Sequence, residues 1–115
     1  MAFPFEFVVN SHPVSQQARR RSIRDQWVQS VRSHAEQHWP TGENPTNDPV
    51  MLTINYVYDR HNIDVDNLPK PILDALKKLV FDDDSQVTDL LCHKRYRPNN
   101  PDSEFVHIIV EESPD

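Results

Sequence analysis

The chain holds a single cysteine, Cys92, among 115 residues. One thiol excludes an intrachain disulfide, and it cannot supply the thiolate set of a cysteine zinc site. This usage fits a reducing compartment. Long apolar runs are also missing. None approaches the ~20 residues needed to span a bilayer, and Met1–Phe7 has no basic stretch followed by an apolar one. The expectation is a cytoplasmic protein without a membrane partner. Basic residues are outnumbered, 12 against 18 acidic, for a net charge of −6. Taken alone, that balance argues against nucleic-acid binding.

Hydrophobic residues make up 37% and charged residues 26%, a globular composition rather than a disordered one. The length suits one domain over residues 1–115, with a core small enough that a homo-oligomer would help bury surface. There are no internal repeats and no linker that would separate a second domain.

Phe3, Phe5, Phe7 and Val9 alternate with Pro4, Glu6 and Val8 and predict a half-buried strand with Pro4 at its start or edge. Ser15 is a candidate helix N-cap. Ile23, Trp27, Val31 and Ala35 then recur every four residues, the mark of an amphipathic helix of about 20 residues that ends at Trp39-Pro40. Thr41–Pro49 is a loop. Val50–Tyr58 alternates cleanly and is the clearest strand. Pro69 and Pro71 fit only the first turn of a helix, which is therefore expected from about Leu68 to about Leu79, with Lys70, Asp74 and Lys78 along one face. An acidic turn covers Phe81–Ser85. Strands are expected over Gln86–Tyr96 and Glu104–Val110, and Phe5, Phe7, Phe105 and Ile109 are expected to fill the inner face of the sheet. The order β-α-β-α-β-β describes an α/β (α+β) fold: a mixed sheet of about four strands with two packed helices.

Chemistry concentrates between Asp64 and Gln86. Asp64 and Asp66, two apart at the end of a predicted strand, would point to one side if the extended geometry persists. Asp83 and Asp84 lie in the turn after the next helix, and an adjacent strand from Gln86 would bring that turn back toward the first pair. Two carboxylates about 5 Å apart repel by roughly 3 kcal/mol at an effective dielectric near 20. Raised pKa values, Lys70 or a metal must offset that repulsion. An oxygen-only donor set suits Mg²⁺ or Mn²⁺, and Lys70 would hold a phosphate or stabilise developing charge. An EF-hand loop from Asp64 fails, because its sixth position is Pro69 and its twelfth is Ala75. Asp-Asp-Asp-Ser by itself is more often a solvated turn; the combined pattern is the informative signal.

That pattern, Asp64-x-Asp66-Asn67-x-x-Lys70, then Asp74-Ala75-Leu76, then Asp83-Asp84-x-Gln86-Val87, resembles the RusA family of Holliday junction resolvases, endodeoxyribonucleases of bacteria and phages. Outside residues 64–87 the likeness is in the layout of strands and helices. The resemblance implies a homodimeric, Mg²⁺-dependent nuclease acting on four-way DNA junctions. It further implies that Asp64, Asp66 and Asp84 bind metal, that Lys70 is the essential lysine, and that Asp83 lies beside the metal. A DNA face would then come from Arg19, Arg20, Arg21 and Arg24 with Lys94, Arg95 and Arg97, against the alternative of solvated surface charge.

Three other functions compete: a metal nuclease for other branched DNA, a catalytically inactive DNA-binding module, and a small phosphotransfer enzyme. The intact set Asp64, Asp66, Lys70 and Asp84 argues against the second, and the length argues against the third. His61 is expected to be an exposed residue at a strand end. His93 and His107 are expected to serve packing or surface, and Trp27 and Trp39 to sit in the core rather than stack on bases.

Overall fold

A computed structural model describes residues 2–15, 20–99 and 103–114. It contains β1 (Phe5–Val9), α1 (Arg21–His38), β2 (Val50–Tyr58), α2 (Pro69–Leu76), β3 (Val87–Tyr96) and β4 (Phe105–Glu112), with 3-10 turns at Val65–Asn67 and Asp84–Gln86. The strands form one mixed sheet in the order β1-β4-β2-β3. β4 runs antiparallel to both β1 and β2, whereas β2 and β3 are parallel and are connected through α2. The expected element order and sheet size are therefore observed.

Both helices cover one face. Val50, Leu52, Ile54 and Tyr56 of β2 are buried there with Phe5, Phe7 and Val9 of β1 and Val106, Ile108 and Val110 of β4. Trp27, Val31 and Ala35 of α1 and Ile72, Ala75 and Leu76 of α2 close the core. Both tryptophans are core residues, as expected. Phe105 and Ile109 are not on this face. Register pairs Phe5 with Val110 and Phe7 with Ile108, and residues paired across strands share a face. Val106, Ile108 and Val110 thus point inward, and Phe105 and Ile109 lie on the sheet face that carries no helix.

Two helix boundaries differ from expectation. α1 begins at Arg21 rather than Ser15, and its cap position, Arg20, contributes no side-chain hydrogen bond. Arg19 lies outside the described residues. α2 ends at Leu76, short of Leu79, where Lys77 turns to an extended backbone, ψ 136°, and Arg32 of α1 binds carbonyls at that end. The Arg32 guanidinium donates to Ala75 O at 3.3 Å and to Lys77 O at 2.8 Å. Lys78 then takes a left-handed backbone conformation, φ 70°, and reverses the chain toward Phe81. Pro69 and Pro71 sit at the start of α2 as expected, where their missing N–H groups cost no helical hydrogen bond. Among the described residues, no helix is long and apolar enough to cross a membrane.

Candidate active site

Asp64 and Asp66 are not strand residues. β2 ends at Tyr58, and Asp64 precedes the 3-10 turn that contains Asp66. A 3-10 turn rotates about 120° per residue, so residues two apart do not share a side as they would in a strand. Both carboxylates are exposed, with no hydrogen bond or ion pair among the described residues. The acidic turn is placed by the parallel pairing of β2 and β3. Val87 lies beside Val50, so Asp83–Gln86 sits near the start of β2 rather than its end. Gln86 fixes it there, donating from Nε2 to Thr46 O at 2.8 Å and to Asp48 O at 3.0 Å.

Lys70 joins α2 to this turn. Its ammonium lies 2.9 Å from Asp84 Oδ2 and 3.0 Å from Asp74 Oδ1. The helical spacing of four residues supplies the second contact. Asp74 also accepts from the Arg24 guanidinium. The result is a row of alternating charges, Arg24, Asp74, Lys70 and Asp84, running from α1 through α2 to the acidic turn. Hydrogen bonds to Asp84 and then Asp74 raise the Lys70 pKa above its usual value. Lys70 is therefore a full cation at neutral pH. Burial would raise the Asp74 carboxyl, but its bonds to Arg24 and Lys70 outweigh that and hold it low.

Asp84 is the most informative acid. One oxygen is taken by Lys70; the other, Oδ1, is buried and has no hydrogen-bond partner among the described residues. Leaving such an oxygen unsatisfied costs about 1–3 kcal/mol, more when it is charged. A cation or water at that oxygen would relieve the cost, so the donor chemistry at Asp84 fits a hard divalent ion. Asp83 behaves differently. It caps the 3-10 turn, accepting from Ser85 N at 3.0 Å, and Lys77 lies 3.4 Å away. Hydrogen bonds from Ser85, followed by Lys77, hold its carboxyl down at about 2. The structure thus brings together Lys70, Asp74 and Asp84. Among the described residues, it gathers no three carboxylate, histidine or cysteine side chains into a ready metal cage.

The basic residues fall into two places. Arg20 and Arg21 are exposed at the start of α1, whereas Arg24 is half-buried and engaged by Asp74 and Asp25. Lys94, Arg95 and Arg97 lie at and just beyond the end of β3.

Glu104 has a role that sequence reading did not single out. It is the one buried charged residue among those described. Oε2 accepts the backbone N–H groups of Asp59, Arg60 and His61 at 2.9, 3.0 and 3.1 Å. Oε1 accepts from His61 Nδ1 at 2.7 Å. The His61 carbonyl in turn accepts from the Tyr56 hydroxyl at 2.7 Å, and the His12 ring stacks on the His61 ring at 3.6 Å. The segment leading out of β2 toward Asp64 is therefore held on several sides. No local pattern around Glu104 announces this, because its partners lie more than 40 residues away.

The family model of endodeoxyribonuclease RusA matches residues 11–108 of the chain. No curated protein matches it.

Proposed function

The chain belongs to the endodeoxyribonuclease RusA family, and from that premise we propose that it is a Mg²⁺-dependent nuclease that resolves four-way DNA junctions. The observation that carries this reading is Asp84. Its Oδ2 is neutralised by Lys70 while its Oδ1 is buried without a partner among the described residues, within the acid and lysine order of the family motif.

Asp64, Asp66 and Asp84 would hold the metal, with Asp83 beside them. Bound Mg²⁺ would supply an activated water and charge neutralisation at a phosphate. Lys70 contributes the fixed positive charge. Its side chain is about half exposed, so it can meet a phosphate oxygen while its raised pKa keeps it protonated. That charge would stabilise the negative charge that builds on the phosphate oxygens during attack. Asp74 and Arg24 position Lys70 and keep the row balanced. Cutting two opposed strands of one junction requires two such sites, which a homodimer would provide. The exposed Arg20 and Arg21, with Lys94, Arg95 and Arg97, would neutralise backbone phosphates and offset the acidity of the whole chain.

The test is cleavage of a labelled four-way junction beside a linear duplex of the same sequence, with Mg²⁺ or with chelator, for wild type and Asp66→Asn. Paired symmetric cuts by the wild type, only with metal and only on the junction, are expected. Equal cutting of duplex would replace junction resolution with general nuclease activity. Tight junction binding without cutting would make the chain a binding module.

A further inference from the structure

Tyr58 and Tyr96 stand side by side at the matched ends of β2 and β3, their ring centroids 5.5 Å apart. Tyr56 stacks behind Tyr58, also at 5.5 Å. Tyr96 is the outermost ring and is 54% exposed, the highest value among the exposed large hydrophobic residues of the described chain. The Lys94 ammonium sits over the Tyr58 ring, 5.2 Å from its centroid. Arg95 and Arg97 flank Tyr96 in sequence. Among the described residues, each guanidinium bonds only a neighbouring backbone carbonyl, Lys94 O and Tyr96 O, and neither forms an ion pair. Arg60, in the adjoining turn, is exposed, and its guanidinium likewise has no carboxylate partner among the described residues.

In a chain of net charge −6, a run of cations without carboxylate partners among the described residues, beside an aromatic ring with one exposed face, is unexpected as ordinary solvated surface. The patch also adjoins the segment that carries the first two acids of the motif. Lys94 hydrogen-bonds to Asn62, two residues before Asp64, and Arg97 N donates to Tyr58 O at 2.8 Å.

We propose that Tyr96, backed by Tyr58, with Lys94 on the same face of the sheet and Arg95, Arg97 and Arg60 beside it in the chain or in the adjoining turn, is a stacking platform for an unpaired DNA base and its flanking phosphates. An aromatic face paired with cations is the combination that binds single-stranded nucleic acid: the ring takes the base and the cations take the backbone. Bases inside a duplex have both faces covered by their neighbours. A base at a branch point or in a single strand does not. The platform would therefore favour branched or single-stranded DNA over linear duplex by a contact that phosphate binding cannot supply. This inference rests on the reading of the chain as a DNA enzyme, but it concerns base contact, not cleavage.

The experiment measures binding of an oligothymidylate and of an abasic oligomer of the same length, in chelator, to wild type, Tyr96→Ala and Tyr96→Phe. Wild type should prefer the base-bearing strand by about five- to tenfold. Tyr96→Ala should lose that preference and Tyr96→Phe should keep it. Replacing Arg95 and Arg97 with alanine should weaken binding of both strands and flatten the salt dependence. No preference in the wild type, or a preference that survives Tyr96→Ala, would overturn the platform. A Tyr96-dependent preference in a protein that leaves four-way junctions uncut would uphold it while sinking the junction-resolving reading. Circular dichroism of each variant checks folding, which replacing an exposed ring should not disturb.

Discussion

Glu104 grips His61 through both carboxylate oxygens, one on the backbone N–H at 3.1 Å and the other on the ring Nδ1 at 2.7 Å. The same side chain takes the two preceding backbone N–H groups, so a single residue of the chain just before β4 fixes the exit from β2. Asp64 and Asp66, the first two acids of the motif, begin three residues after His61. Glu104→Ala leaves these donors without their acceptor and should destabilise the protein by about 1–3 kcal/mol, measured by urea unfolding at neutral pH. A Tyr56→Phe variant, which removes only the hydroxyl bond to the His61 carbonyl, should cost less. Amide hydrogen exchange separates a local effect from a global one. The N–H groups of residues 59–61 should lose protection in Glu104→Ala at urea concentrations where β2 remains protected. Unchanged protection there would sink the positioning role.

The same carboxylate sets an acid limit on stability. Burial by itself would raise its pKa, but hydrogen bonds from the backbone of Asp59 and His61, the His61 ring and the backbone of Arg60 hold it at about 2. The unfolded chain takes up the proton first, near 4.5. The stabilisation is therefore complete above that pH and disappears as pH falls toward 2. Asp83 titrates in a similar range, so the informative quantity is the difference between wild type and Glu104→Gln. Thermal melts from about pH 7 to about pH 2.5 should show the wild-type advantage shrinking steadily below about pH 4.5. A gap that stays constant with pH would mean that the charge on Glu104 contributes nothing.

Much of the architecture was legible because its signals are local. β2 alternates over its whole length, and Pro69 with Pro71 marks the start of α2 within a residue. What failed was information carried by distant residues. The alternation of β4 is apolar in both frames, so only its pairing with β1 decides that Ile108 faces inward and Ile109 does not. The end of α2 falls where Lys77 turns extended, and the carbonyls there are taken by Arg32, which reaches over from α1. Asp-Val-Asp mimics a strand, but the turn that Glu104 imposes after Tyr58 has already ended the sheet there. The acids and the lysine could be picked out by type and spacing. The pairing of Lys70 with Asp84 could not, since it depends on the parallel return of β3.

Arg24 shares a sequence cluster with Arg20 and Arg21, yet its guanidinium is bound by Asp74 and its side chain is only 18% exposed. The two kinds of arginine should separate experimentally. Arg24→Ala should cost roughly 1–2 kcal/mol of stability, because it leaves a partly buried carboxylate with one cation fewer. It should leave the salt slope of DNA binding unchanged. Replacing Arg20 and Arg21 should hardly alter stability but should reduce that slope by about 1 for each phosphate no longer neutralised. A reversed pattern would move the DNA face onto Arg24 and make its pairing with Asp74 incidental.

Asp83 and Asp84 are neighbours with the same chemistry and opposite surroundings, and that contrast carries the sharpest prediction. Asp83 is exposed, and it spends its carboxylate capping the turn. Asparagine caps nearly as well, so Asp83→Asn should preserve most of the cleavage rate and the melting temperature. Asp84 has one oxygen on Lys70 and one buried and unpartnered among the described residues. Asp84→Asn removes the charge opposite Lys70, lowers the Lys70 pKa and takes away the oxygen best placed for a cation. Junction cleavage should fall by a factor on the order of 100 or more, and raising Mg²⁺ should restore little of it. Stability should change little, because the ion pair lost with the half-exposed Lys70 is offset by removal of a charge whose other oxygen is buried without a partner among the described residues. Single-turnover cleavage across a Mg²⁺ series, alongside thermal melts of both variants, makes the comparison. If Asp83→Asn is as damaging as Asp84→Asn, the turn acts as a unit, and the assignment of the metal oxygen to Asp84 is wrong.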